Sequence, residues 1–219
     1  MDLIQAMKER HSVRAYTKQR IEEEKRNKLN ILIEECNEES GLHIQIRYDD
    51  PSGFDSMLAH YGKFRNVNNY IIMAGVESYN LQERCGYYGE KIVLKAQMMG
   101  LNTCWVALSF NKTNVRKLIP DGEKLVLVIA IGYGETQGLP HKGKSLENVM
   151  AIKGKMPDWF RRGAEAALLA PTAINQQKFK MGIKDGNPVI RISGKGPYTK
   201  IDLGIVKYHF EAASGHKVR

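Results

Sequence analysis

The sequence predicts an α+β fold in which two diverged copies of one half-unit share a single chain, and three internal parallels predict it. Residues 69–75 (Asn-Tyr-Ile-Ile-Met-Ala-Gly) and 187–194 (Asn-Pro-Val-Ile-Arg-Ile-Ser-Gly) each read as a strand that ends at a glycine. Gly89 and Gly100 are spaced to bracket a helix, as are Gly204 and Gly215, eleven residues apart in both cases. Segments 29–49 and 165–185 each read as helix, turn and strand. A chain of this kind imitates with one polypeptide what a homodimer builds with two. The expected division is a first half at 1–134, a linker with a basic loop at 135–157, and a second half at 158–219.

In order, a helix over 1–10 leads into a loop, followed by a helix over 21–37 and a strand over 43–48. The connection 49–68 has no counterpart in the second copy, where Asp185 reaches Pro188 almost at once. Long insertions of this kind are ligand-facing lids in some proteins and covers over a core in others. Strand 69–75, helix 80–99, strand 103–107, helix 111–118 and strand 124–131 complete the first half. Gly134, Gly138, Pro140, Gly143, Gly154 and Pro157 cluster with polar residues and mark the linker. Beyond it, the apolar run Ala164, Ala166, Ala167, Leu168, Leu169 reads as a helix stopped by Pro171, ahead of a strand at 178–183.

Composition sets limits. A chain of 219 residues can bury a substantial core, and 42% hydrophobic content argues against disorder. No apolar run approaches the roughly 20 residues that span a bilayer, and the first ten residues do not read as a signal peptide. Three cysteines, Cys36, Cys85 and Cys104, stand far apart and odd in number, which fits thiols in a reducing cytoplasm rather than disulfides or a metal site. The net charge of +9 has two readings. Lys8, Arg10, Arg14, Lys18 and Arg20, or Lys142, Lys144, Lys153 and Lys155, could form a nucleic-acid surface, but neither a set of exposed aromatics nor a recognisable nucleic-acid module accompanies them. Attraction of phosphorylated cofactors is the more economical use of the charge. Neither a nucleic acid nor a membrane is therefore expected as partner.

Two segments carry the chemistry. In Glu-Arg-His-Ser-Val-Arg-Ala-Tyr at 9–16, Arg10 and Arg14 lie four apart with Ser12 between them and His11 alongside. On a helix both guanidinium groups would reach one side, a geometry suited to a terminal phosphate, although a solvated basic face is the common alternative. In Ala-Pro-Thr-Ala-Ile-Asn-Gln-Gln at 170–177, Thr172, Asn175 and Gln177 offer a hydroxyl and two carboxamides toward the edge of a flat heterocycle, or simply form a polar turn.

Together the segments resemble the nitroreductase-like family of FMN flavoproteins. Arg10, Ser12 and Arg14 match its Arg-x-Ser-x-Arg element, and Ala170, Pro171, Thr172, Asn175 and Gln177 match its Ala-Pro-Ser-x-x-Asn-x-Gln element. Gly100-Leu101-Asn102-Thr103-Cys104-Trp105-Val106 resembles the strand entry beside the flavin. Ala130-Ile131-Gly132-Tyr133-Gly134 and the loop Leu139-Pro140-His141-Lys142-Gly143-Lys144 resemble the Gly-Tyr strand end and its basic loop. One departure matters. The proline-containing element, which usually follows the first element closely, appears only in the second half, as in the family's single-chain branch, the TM nitroreductase type.

The resemblance implies one FMN site across the two copies in a chain that functions as a monomer, with further association left open. It implies FMN binding by Arg10, His11, Ser12, Arg14, Lys142 and Lys144 around the phosphate and by Pro171, Thr172 and Asn175 at the ring system. Val106, Ala107 and Leu108 would lie by the reactive nitrogen. No Gly-x-Ser-x-Gly, His-Glu-x-x-His, Cys-x-x-Cys or GxGxxG after a strand occurs, so neither a catalytic side chain nor a metal is expected. The implied activity is FMN-dependent, ping-pong transfer of hydride from NAD(P)H to a small-molecule acceptor such as a nitroaromatic or quinone. Reductive dehalogenation, flavin consumption and flavin binding without turnover are the alternatives.

Overall fold

The computed structural model describes residues 1–151 and 156–219, so Lys153, Gly154 and Lys155, with part of the expected 135–157 linker, lie outside the described residues. Four antiparallel strands form the main sheet in the order β1 (Gln45–Arg47), β2 (Tyr70–Val76), β4 (Glu123–Gly132), β3 (Asn102–Val106). The central pair β2 and β4 is covered on both faces, which is why Tyr70-Ile71-Ile72-Met73-Ala74 reads as an unbroken apolar run rather than an alternation. The pleat still sorts the side chains. Ile71, Met73, Leu127, Ile129 and Ile131 enter the larger core, while Tyr70, Ile72, Ala74, Val128 and Ala130 enter the smaller one.

The larger core lies between the sheet and the helices α2 (Glu23–Ser40) and α4 (Leu81–Met98). The smaller one is closed by the 49–68 insertion, which folds as a 3-10 turn (Pro51–Gly53) and helix α3 (Met57–Tyr61). Phe54 and Phe64 meet there with ring centroids 5.0 Å apart, and Phe54 meets Tyr70 edge-on at 6.0 Å. The insertion therefore covers a core, while Met57, Leu58 and Tyr61 point outward.

After α5 (Lys112–Arg116) and the short α6 (Leu146–Val149), the chain builds α7 (Asp158–Leu168), the hairpin β5 (Phe179–Lys184) and β6 (Asn187–Ile192), and α8 (Thr199–Ser214). Asp185 and Gly186 both take positive φ, 51° and 74°, as a tight hairpin turn with two left-handed residues requires. Strands β5 and β6 follow one another directly between α7 and α8, whereas in α2-β1-α3-β2-α4 the 49–68 insertion separates the two strands.

One expectation needs correction. Gly89 and Gly204 do not bracket helices; both lie inside them, because each marks a close approach rather than an end. Gly204 faces the Glu83 carbonyl and Gly86 faces the Ile201 carbonyl, so α4 and α8 cross with their backbones nearly touching. The segment after Arg10 leaves the helix, as the loop expected there does. Helix α1 (Leu3–Glu9) stops at Arg10, and 12–17 runs extended: Val13 N–H bonds Thr103 O at 3.1 Å, and Tyr16 N–H bonds Arg65 O at 3.0 Å. Ser12 and Arg14 share a face through the two-residue period of an extended chain, whereas Arg10, at the end of α1, is buried away from them.

The crossing makes a signed prediction. In an ordinary helix interior Gly→Ala stabilises by about 0.5–1 kcal/mol. At Gly204 the new methyl would overlap backbone atoms of α4, and backbone cannot swing aside. Gly204→Ala is expected to destabilise by about 1–3 kcal/mol in urea unfolding.

Candidate functional site

A cavity of about 510 Å³ is lined from both early and late segments of the chain. Ser12 and Arg14 line it from the extended segment, Val106, Ala107 and Leu108 from the end of β3, and Pro171 and Thr172 from the second motif. Trp105, Phe64, Leu127, Ile201 and Ile205 give it apolar walls. Segments more than 150 residues apart in the chain thus face one space.

Arg10 does not line the cavity and is 3% exposed. Its Nε and Nη1 are buried without hydrogen-bond partners. The nearest carboxylate, Glu90 on α4, is 4.0 Å away and already engaged. Glu90 is fully buried and accepts from Trp105 Nε1 at 3.0 Å, and its other oxygen meets His209 Nε2 at 2.8 Å. His209 Nδ1 faces the Ala166 carbonyl at 3.0 Å, so it must donate, and one more proton lies between Nε2 and Glu90. That pair is neutral as a unit. Arg10 therefore keeps a net positive charge in a buried place, with unsatisfied donors, an arrangement that a bound anion would relieve.

His11 contributes no firm charge, because burial and the Arg10 guanidinium lower its pKa. Burial pushes the Cys104 thiol up despite nearby Arg14, Ser12 and Arg10, so it stays protonated. All three cysteines are buried and free. Among the described residues no cluster of three or more His, Cys, Asp or Glu is placed to hold a metal, and no helix is long and apolar enough to cross a membrane.

The basic loop and the Asn-Gln end of the second motif bind each other rather than the cavity. Asn175 Nδ2 and Gln177 Nε2 donate to Lys142 O at 3.0 and 2.9 Å. Lys144 Nζ donates to Gln177 O at 2.8 Å, and its backbone N–H meets Gln177 Oε1 at 2.8 Å. Asn175, Lys142 and Lys144 thus stand outside the cavity lining, and what they fix is the path of the motif loop. That loop is strained: Ile174, Asn175 and Gln177 all have φ between 44° and 56°, unusual above all for a β-branched residue. Ile174 is 86% exposed and sits at the cavity rim.

Sequence reasoning missed Asp202. Nothing in its local pattern, the first turn of an apolar helix, marks it as a site residue, yet it lines the cavity from α8. Its carboxylate accepts from Ala173 N–H at 2.9 Å and Gln176 Nε2 at 2.7 Å, clamping the motif loop. Burial pushes its pKa up to about 6, against the opposing effect of those two bonds. Trp105 was within reach of the Cys-Trp motif, whereas Ile201 and Ile205 look like any core residues of a helix.

This α+β arrangement is the nitroreductase-like fold. A Thermotoga maritima protein described as a putative nitroreductase superposes with TM-score 0.70 at 22% identity, over 97% of this chain and 83% of that one. A Desulfovibrio desulfuricans structure, described as a putative nitroreductase in complex with FMN, matches 72% of this chain and 99% of its own with TM-score 0.55 and 19% identity. A Bacteroides thetaiotaomicron structure, described as a putative NADH dehydrogenase/NAD(P)H nitroreductase, matches 67% and 95% with TM-score 0.53 and 23% identity. No curated protein matches the sequence. Over residues 2–214 the chain matches the family described as "Putative TM nitroreductase", and it belongs to that family.

Asp202 gives a pH prediction. Its folded pKa lies above the unfolded value near 3.8, so the folded state holds the proton more tightly and stability falls as pH rises from about 4 to about 6. The loss through this group is at most about 3 kcal/mol. Asp202→Asn is expected to lack that component, seen as a flatter dependence of urea midpoint on pH over the same interval.

Proposed function

We propose that the chain is an FMN-dependent NAD(P)H oxidoreductase of nitroreductase type, a pseudo-dimer that holds one FMN per polypeptide between its two halves. The observation that supports this reading is the shared cavity, where Ser12 and Arg14 of the first motif face Pro171 and Thr172 of the second. The chemistry of the lining fits the group. Trp105, Phe64, Leu127 and Pro171 of the lining suit a flat ring system, and Arg10, outside the lining but four residues from Arg14, holds two orphaned donors that suit a phosphate. Arg14 lines the cavity itself and so would meet the ring edge rather than share the phosphate with Arg10. Lys142 supplies further positive charge near the motif loop, and His11 packs against Gly138 beside it.

When bound, FMN supplies the redox chemistry that no side chain of this cavity offers. Backbone and side-chain atoms of Val106, Ala107, Leu108 and Thr172 hold and orient the ring, and the apolar walls exclude water. The clamp from Asp202 keeps the Pro171-Thr172 edge in position. With one cavity to occupy, a nicotinamide donor and a nitroaromatic, quinone or related acceptor take turns in it. Parallel double-reciprocal lines, the mark of a ping-pong sequence, are the expected steady-state pattern.

Titration with FMN should saturate near one per chain, with a monomer competent to bind, and the complex should bleach under anaerobic NADH or NADPH. A flavin that stays oxidised with both donors would refute the oxidoreductase reading. Arg10→Ala is expected to weaken FMN binding by about 1.5–3 kcal/mol while leaving riboflavin, which has no phosphate, little affected. Fluorescence titration of both ligands checks this.

A further inference from the structure

A second and larger cavity, about 1080 Å³, abuts the first and shares Ser12, Arg14 and Phe64 with it. Ordinary small-molecule sites hold about 300–1,000 Å³, so this space is larger than a compact acceptor needs. Arg14, Lys63 and Arg65 line it against Asp55 and Glu135. Arg65 is paired with Glu135 at 2.9 Å, whereas among the described residues neither Arg14 nor Lys63 has a carboxylate partner. Its apolar side is made by Pro51, Phe54 and Val67.

The loop that presents Lys63 is held under strain. Lys63 has φ of 62°, a left-handed conformation unfavourable for an ordinary side chain, and Asn66, a residue better suited to it, follows at 54°. Backbone bonds on both sides enforce it: Phe64 N–H to Ala59 O at 3.1 Å and Arg65 N–H to Arg14 O at 2.9 Å. The 49–68 insertion is thus more than a cover for the smaller core. Its inner side chains fill that core, and its strained end aims a free ammonium into a space continuous with the flavin cavity.

We propose that this second cavity receives the adenylate half of a nicotinamide dinucleotide. The adenylate phosphate lies against Lys63, and the base lies against Pro51 and Phe54, so that the nicotinamide end, with its own phosphate, reaches the first cavity past Phe64. A dinucleotide has the shape the two cavities ask for, with a flat uncharged ring at one end and phosphates and a second ring at the other. The assignment rests on the reading of the first cavity as a flavin site.

The test compares NADH and NADPH with reduced nicotinamide mononucleotide, which has no adenylate half, on the FMN-loaded protein. KM for the mononucleotide is expected to be at least about tenfold higher, a difference of about 1.4 kcal/mol. Lys63→Glu should raise KM for both dinucleotides by a similar factor and leave KM for the mononucleotide unchanged. Lys117→Glu, an equal charge change on the exposed end of α5, should move neither. ADP should bind the FMN-loaded protein in calorimetry, and Lys63→Glu should abolish that binding without any turnover being read. Equal KM values for mononucleotide and dinucleotides, a Lys63→Glu effect that is the same for both, or ADP binding indifferent to Lys63 would overturn the assignment. Failure of the underlying flavin reading looks different, because then neither the mononucleotide nor the dinucleotides reduce the protein.

Discussion

The close crossing of α4 and α8 is the constraint on which the rest of the molecule depends. Two glycines, Gly86 and Gly204, let the helix backbones meet where any side chain would hold them apart. Because α4 follows β2 and leads into β3, while α8 follows the second hairpin, this contact sets the distance between the sheet and everything after residue 158. Arg14 and Val106 come from one side of that junction, Pro171 and Thr172 from the other, and the cavity is the space left between them. A wider separation would open the cavity to water and deprive a ring system of one wall.

The chemistry around the cavity changes along its length. Arg10, buried outside the lining, holds positive charge with orphaned donors, and the cavity itself is apolar where Trp105 and Phe64 wall it. The outer end carries cations whose partners are few or absent. The basic loop at 141–144 is different in kind. It holds the Pro171-to-Gln177 loop through the Lys142 carbonyl and the Lys144 ammonium, while His141 meets Leu168 O at the end of α7, so much of its contribution is shape.

Much of this was legible in the sequence, and the parts that were not fail for identifiable reasons. The strand and helix order followed from periodicity and glycine punctuation, and the short motifs marked Ser12, Arg14, Pro171 and Thr172 as neighbours despite their separation. The loop after the first helix was legible, but not that tertiary hydrogen bonds to Thr103 and Arg65 hold it extended. Glycines inside α4 and α8 looked like ends because glycine usually stops helices, and only the packed structure shows the carbonyls they face. Asp202, Glu90 and His209 had no sequence signal at all. Each lies on an apolar helix with no motif around it, and its importance comes from partners more than 25 residues away.

The shared proton between Glu90 and His209 has a consequence for how the two helices find one another. A buried pair of this type adds little net stability, since removing both groups from water costs nearly as much as their attraction returns. Displacing α8 along α4 by a single turn, however, would part His209 from Glu90 and leave the imidazole without its carboxylate, at a cost of about 3–5 kcal/mol. The glycines favour the same alignment, because a side chain brought to the crossing would force the backbones apart. The proton marks that alignment a second time, and so serves the molecule as a vernier mark rather than as glue.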